Sequence, residues 1–194
     1  MGVAVVQAPG EGEMQCAHLV KEGEAYAVGS QDYDALVVGG TRLIQNLTLA
    51  RQRKTRSGVV YISPEIIEYE KLLNTLDIDA DQLISLALLV GTDFNPKGVR
   101  GIGPKKALAL VKKNKYPVEI FKEVAHQIDF DWQEVFQIFK KPNVKSMKVS
   151  FPKIDEGRVK KILVEEHDFS IERIEKQLEK LHEVKRARAQ RTLF

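Results

Sequence analysis

The chain has 194 residues, of which 43% are hydrophobic and 29% charged, a composition typical of an ordinary folded domain. It has one cysteine, Cys16, and its longest strongly apolar run is about eight residues. An internal disulfide and a membrane-spanning helix are therefore excluded, and the lack of a signal-peptide pattern favours an intracellular protein. The net charge of +3 is uneven, because residues 1–98 carry −5 and residues 99–194 carry +8.

This asymmetry predicts one domain, residues 1–194, with an acidic half suited to cations and a basic half suited to a polyanion. Uneven surface charge without functional meaning accounts for the asymmetry equally well. The choice between these interpretations therefore depends on the motifs that each half contains.

Short apolar runs alternate with a helical pattern at the start of the chain. We predict strands over residues 3–8, 26–29 and 35–38, and a helix over residues 11–22. Such alternation indicates an α/β fold with a mostly parallel sheet flanked by helices. In sheets of this kind the functional site lies beyond the carboxyl ends of the strands.

A basic loop comes next. Residues 42–49 and 59–62 are predicted to form an antiparallel pair, joined by residues 50–58. The basic side chains of this loop have two interpretations: the loop is a solvent-exposed tip, or it contacts phosphate. These side chains are Arg51, Arg53, Lys54 and Arg56.

Helical patterns dominate the rest of the chain. Pro64 is predicted to begin a helix that runs to about residue 74. Asp79 and Gln82 form a capping-box pattern ahead of an apolar run to Val90, which predicts a buried core helix. Beyond residue 98 we predict a helical lobe, in which Ser170 caps the last helix. The predicted helices of this lobe cover residues 104–113, 118–125, 131–139, 156–165 and 170–189.

Five carboxylates follow apolar runs: Glu11 and Glu13, Asp32 and Asp34, and Asp93. Each group alone is explained as well by an ordinary helix start or turn. Together they are predicted to meet at one edge of the sheet, where five carboxylates cannot all stay ionised without protons or hard cations. An all-oxygen ligand set favours Mg²⁺ or Mn²⁺. Next to a DNA-binding element, such a metal site would belong to a nuclease.

The segment G-I-G-P-K-K-A begins one of the predicted helices. Gly101 and Gly103 allow a tight backbone path, and Pro104 suits the first helical position. The free amides of this helix start, with Lys105 and Lys106 beside them, would then face an anion. The pattern predicts a helix–hairpin–helix element that binds backbone phosphate and reads no bases.

The chain resembles the flap endonucleases, structure-specific 5′-nucleases of archaea and eukaryotes, and its T-D-F-N-P form resembles the archaeal members. The matching stretches are collinear over residues 1–170: V-Q-A-P-G-E-G-E-M-Q, V-G-S-Q-D-Y-D-A-L, L-L-V-G-T-D-F-N-P-K-G-V-R-G-I-G-P-K-K-A and E-E-H-D-F-S. The resemblance implies that the five carboxylates are catalytic and hold two Mg²⁺ ions, for which Mn²⁺ can substitute. It also implies that the hairpin at Gly101 and Gly103 binds duplex DNA and carries K⁺ on backbone carbonyls.

The resemblance is to the internal and C-terminal part of the family. The family's N-terminal region, with two further aspartates and a helical arch, has no counterpart here. Gln190 and Leu193 match the opening of a sliding-clamp-binding motif, although a frayed helix end explains them equally well. We therefore expect hydrolysis of DNA at 5′-flaps or nicked junctions by the parent nuclease, with self-association through an uncovered sheet. A duplex-binding module without activity, or a partner-assembled structural subunit, are the alternatives.

Overall fold

A computed structural model of the protein describes residues 1–48, 51–56 and 58–191. The chain divides into two compact units, one of residues Gln7–Lys148 and one of Met1–Val6 with the chain from Val149 onwards. The predicted boundary between an acidic and a basic half, after residue 98, therefore lies inside the larger unit. No described helix has both the length and the apolar character needed to cross a membrane.

The larger unit contains a small sheet, a separate hairpin and seven named α-helices. Its strands are β1 (Val28–Gly29), β2 (Arg42–Gln45), β3 (Gln52–Thr55), β4 (Gly58–Tyr61) and β5 (Glu65–Glu68). Its helices are α1 (Gly12–Lys21), α2 (Asp34–Val37), α3 (Tyr69–Leu76), α4 (Ala80–Val90), α5 (Pro104–Lys113), α6 (Pro117–Glu123) and α7 (Trp132–Lys140). The predicted α/β class is confirmed.

The three-stranded sheet has the order β1-β2-β5, with β1 parallel and β5 antiparallel to β2. It is therefore mixed in the part of the chain that is described. The predicted pairing of residues 42–49 with 59–62 is wrong, because β4 pairs with β3 in a hairpin of its own. Of the predicted basic loop, residues 50 and 57 and the side chains of Arg53 and Lys54 lie outside the described residues.

Two further predictions about local structure are wrong for physical reasons. Residues 35–38 were expected to form a strand, but α2 occupies this region, and Val38 N–H donates to Asp34 O at 3.1 Å. A short run buried on all sides fits a buried helix as well as a buried strand. Residues 65–68 form β5, so the helix expected from Pro64 begins at Tyr69 instead.

Residues 3–8 form no strand in the described structure, although their apolar pattern predicts one. Val3 is 61% exposed and Val5 is 90% exposed. A strand is stable only when a neighbour satisfies its backbone groups. The described residues provide no such neighbour for this segment.

Helix α4 forms the centre of the larger unit's core. Leu88 and Leu89 are fully buried, and α4 packs against α5 and α7. The predicted capping box is confirmed, because Asp79 Oδ1 accepts from Gln82 N at 2.9 Å and Gln82 Oε1 accepts from Asp79 N at 2.8 Å. A fixed start and a buried body make α4 the rigid support for the loop that follows it.

The smaller unit is helical. It contains α8 (Glu156–Lys160), a π-helical turn (Lys161–Glu165) and α9 (Ile171–Arg191). The predicted cap at Ser170 is confirmed, since its hydroxyl accepts from Arg173 N at 3.4 Å. The buried residues of its small core are Val159, Ile174 and Leu178.

Candidate metal site and phosphate-binding hairpin

Helix α1 positions the first two carboxylates. Glu11 is the N-cap residue with an extended backbone, and Glu13 lies in the first turn. Both therefore lie at the positive end of the helix dipole, which favours negative charge. The apolar face of α1, which includes Met14 and Ala17, is buried and fixes the helix on the core.

The next two carboxylates follow β1. Asp32 lies in the loop between β1 and α2, and Asp34 is the first residue of α2. Gln45, buried at the end of β2, anchors this loop, because its Nε2 donates to Gln31 O at 2.7 Å and its Oε1 accepts from Tyr33 O–H at 3.4 Å. The carboxylates are thus placed by a loop with fixed attachment to the sheet.

Asp93 is placed by the turn that ends α4. Gly91 has a φ of 123°, which favours glycine, and a Cβ on Gly98 would lie 2.4 Å from Val90 O. Within the turn, Asn95 accepts from Thr92 Oγ1 at 2.6 Å and its amide donates to Leu88 O at 2.7 Å. This closed turn holds Asp93 just beyond the core helix.

All five carboxylates line one cavity of about 800 Å³ in the larger unit. Burial and, to a smaller degree, the negative charges of four neighbouring carboxylates together raise the pKa of Asp34 to about 6. These neighbours are Asp93, Glu13, Asp32 and Glu11. The structure therefore brings four carboxylates close enough to Asp34 to disfavour its ionised form. The rest of the lining includes apolar side chains from α3 and α4.

The carboxylates are close but not arranged around one point. Among the described residues, no group of three or more His, Cys, Asp or Glu side chains has the geometry to hold a metal ion. An oxygen-only cluster with one carboxyl titrating near pH 6 still has the chemistry of a hard-cation site. Ion binding here thus requires side chains to turn inward or ligands from elsewhere.

Sequence reasoning missed the polar residues that hold these carboxylates. The hydroxyl of Ser30 donates to Glu13 Oε1 and accepts from Asp32 N at 3.1 Å. Gln45 is buried although it is polar, and that mismatch in the pattern of β2 is the signal that could have revealed its anchoring role. Ser30 gives no comparable signal, because a serine after a strand is common.

The hairpin before α5 has the predicted turn and helix start. Gly101 has a φ of 78°, which favours glycine, and Pro104 occupies the first turn of α5. The backbone path does not require glycine at position 103, because the φ of Gly103 is −90° and a Cβ there meets nothing within 4 Å. The open space around Gly103 leaves the backbone amides at the start of α5 accessible to a ligand.

The two lysines of this hairpin differ. Lys106 Nζ donates to Gly101 O at 3.1 Å, so its ammonium lies back against the hairpin. Lys105 is exposed and makes no hydrogen bond or ion pair with the described residues. Of the two, Lys105 is therefore the one whose charge is free to meet an anion in this conformation.

The two residues of the predicted clamp motif lie at the end of the chain. Gln190 belongs to α9, and Leu193 lies outside the described residues. The sliding-clamp prediction therefore stays a prediction.

Comparison with known proteins identifies relatives of the whole chain. Residues 2–93, which include all five carboxylates, match the XPG I-region family. The chain is 47% identical over 186 residues to Flap endonuclease 1 of Aeropyrum pernix, covering 93% of this chain and 53% of that protein. It is 43% identical over 196 residues to Flap endonuclease 1 of Pyrococcus abyssi, covering all of this chain and 56% of that protein. The chain thus spans about half the length of these relatives.

Solved structures agree with the sequence relatives. Flap endonuclease-1 from Methanococcus jannaschii matches with a TM-score of 0.78 and 37% identity, covering 93% of this chain and 53% of that one. The catalytic core of Rad2 in complex with DNA substrate matches with a TM-score of 0.67 over 90% of this chain and 63% of that one. At 20% identity, the likeness to Rad2 supports the fold alone.

Proposed function

We propose that the chain, which is similar to Flap endonuclease 1 of Aeropyrum pernix over 93% of its length, forms the metal-binding and duplex-binding part of a structure-specific DNA nuclease. The reaction is hydrolysis of a DNA phosphodiester at a 5′-flap or a nicked junction, in replication and repair inside the cell. The observation that carries this proposal is the meeting of five carboxylates in one cavity, where Asp34 has its pKa raised to about 6. A second 5′–3′ exonuclease activity on the same junctions belongs to the same proposal.

The residues proposed to hold two Mg²⁺ ions, or Mn²⁺ in their place, are Glu11, Glu13, Asp32, Asp34 and Asp93. When bound, such ions lower the pKa of water and stabilise charge on the phosphate and the leaving oxygen. No three of these side chains are arranged for one ion as they stand among the described residues, so ion binding needs these side chains to turn inward or further ligands to join them. The family resemblance supplies two aspartates in a part of the relatives that this chain does not span.

The chain's own residues have separable tasks in this proposal. The carboxylates repel one another, so they can be arranged around the reacting phosphate only when cations offset this repulsion. Without ions the site is therefore inactive. Gly101, Gly103, Lys105 and Lys106 bind backbone phosphate of the duplex through charge and free amides. K⁺ is the monovalent ion that the resemblance assigns to this hairpin, where backbone carbonyl oxygens would hold it.

The metal part of the proposal is tested by calorimetry with Mn²⁺. We expect weak binding that Asp34→Ala and Glu13→Ala reduce by more than the roughly 10- to 100-fold typical of losing an outer-shell partner. Asp129→Ala is the matched control, because Asp129 is an exposed carboxylate outside the cavity. Wild-type protein that binds no Mn²⁺, or variants that bind like the control, would contradict the metal site.

A second candidate is a duplex-binding module without catalysis of its own. The relatives, which are named as flap endonucleases, favour the nuclease over this module. Cleavage of a labelled 5′-flap in Mg²⁺ separates the candidates, because the module binds the duplex and leaves it intact. A contact of Gln190 and Leu193 with a sliding clamp is a separate proposal, tested by binding to a clamp ring.

A further inference from the structure

The hydroxyl of Ser30 lies between two of the carboxylate-bearing segments. It donates to Glu13 Oε1 on α1, and it accepts from the backbone N–H of Asp32 in the loop after β1. A serine hydroxyl has one hydrogen to donate and lone pairs to accept. Both interactions are therefore satisfied at once, and this one side chain joins segments that are 17 residues apart in sequence.

The backbone of Ser30 is itself fixed by the sheet. Ser30 N–H donates to Ile44 O at 3.2 Å, which extends the pairing of β1 with β2 by one residue. The preceding residue, Gly29, is also held in the sheet, because it pairs with Ile44 of β2. The hydroxyl therefore projects from the end of the parallel pair, and its position does not depend on a mobile loop.

We propose that Ser30 is a positioning residue that holds the Glu13 carboxylate for cation binding and ties it to the Asp32 loop. The inference rests on the proposed metal site. The hydrogen bond engages one carboxylate oxygen, Oε1, and leaves the other free to meet a cation. Because Glu13 is also repelled by the neighbouring carboxylates, it would turn away from them without this bond. Outer-shell partners of metal ligands act in this way, and their loss costs about 10- to 100-fold in affinity.

The test is Mn²⁺ binding by calorimetry in a double-mutant cycle. We expect Ser30→Ala to weaken binding by about 10- to 100-fold. We expect Ser30→Thr to restore most of it, since threonine keeps the hydroxyl and suits extended backbone. In a Glu13→Gln background, Ser30→Ala should change the remaining affinity by less than about twofold, because the hydroxyl acts through Glu13.

Ser146→Ala is the matched control. Its hydroxyl also donates to a glutamate, Glu22 Oε1 at 2.6 Å, but Glu22 lies outside the carboxylate cavity. It should leave Mn²⁺ binding unchanged. Thermal unfolding of each variant by circular dichroism separates lost folding from lost positioning, because a folded Ser30→Ala protein still shows the defect.

Each outcome decides the proposal. If the wild-type protein binds Mn²⁺ and the Ser30→Ala protein binds it equally well, the positioning role of Ser30 is overturned but the metal site is not. An equal loss in both backgrounds also overturns the positioning role, because the effect would then not pass through Glu13. No recovery with Ser30→Thr overturns it as well, because the effect would then not depend on the hydroxyl. Wild-type protein that binds no Mn²⁺ overturns the metal site and the positioning role together.

Discussion

The protonation of Asp34 connects the carboxylate site to a measurable quantity, the free energy of unfolding as a function of pH. Its pKa is raised from an ordinary 3.8 to about 6 by burial and by four neighbouring carboxylates. The folded state therefore binds the Asp34 proton more tightly than the unfolded state does. By linkage, this contribution to stability is present below pH 3.8 and is lost as the pH rises through about 6. Without cations, the ionised Asp34 thus destabilises the folded protein at neutral pH.

The perturbation is Asp34→Asn, which keeps the shape and removes the charge. A rise from 3.8 to about 6 corresponds to a ceiling of about 3 kcal/mol. Asp34 is half-buried, so solvent screens the charge, and we expect a gain of about 1 kcal/mol at pH 7.5. Below pH 4 the variant and the wild type should be equally stable, because both side chains are then neutral.

The assay is urea unfolding followed by the fluorescence of Trp132, the single tryptophan of the chain. Trp132 stacks on Phe121 with ring centroids 4.4 Å apart, so its emission reports the larger unit. Added Mn²⁺ should stabilise the wild type more than the variant, because Asp34 then has a cation to bind. Asp129→Asn serves as the control. An Asp34→Asn protein that is less stable than wild type at pH 7.5, or a gain that persists below pH 4, would refute the reasoning.

Two further predictions concern the duplex and the completeness of the site. Lys105→Ala should weaken binding to any duplex, and it should lower the slope of log K for duplex binding against log salt concentration by about one unit. Lys106→Ala should have the smaller effect, because its ammonium donates to Gly101 O. Equal losses of affinity in the two variants, or a loss that depends on base sequence, would contradict this. The isolated chain should self-associate through its uncovered strands, which analytical sedimentation can measure. It should also cut 5′-flaps slowly, and the rate should rise by several powers of ten when the part of a flap endonuclease that the chain does not span is added. Equal rates before and after that addition would show that the added ligands are unnecessary.

The parts of the fold that were predicted correctly have local causes. The start of α4 follows from the reciprocal bonds of Asp79 and Gln82, which need no distant residue. Helix α5 matches its prediction over residues 104–113, since Pro104 fixes its start and the apolar spacing fixes its buried face. Capping and helical periodicity act over a few residues, and the sequence displays them directly.

The strands that were predicted wrongly depend on which other strands they pair with. The sequence pattern of β4 is that of a strand, but nothing in residues 59–62 indicates that β3 is its neighbour and β2 is not. Residues 3–8 have the pattern of a strand, yet in the described structure they remain unpaired, with Val5 90% exposed. A strand pattern indicates what a segment can do, while its pairing depends on segments far away in sequence.

The candidate site combines both cases. Its charges were predicted, because five carboxylates after apolar runs are visible in the sequence, and the cavity brings them together. The groups that hold them were not, because the hydroxyl of Ser30 reaches Glu13 only after β1 and α1 have packed side by side. Charge type is thus a property of sequence, whereas orientation is a property of packing. It follows that Ser30→Ala, which removes no charge, should nevertheless weaken Mn²⁺ binding, and that a site judged by its carboxylates alone would give no reason to expect this.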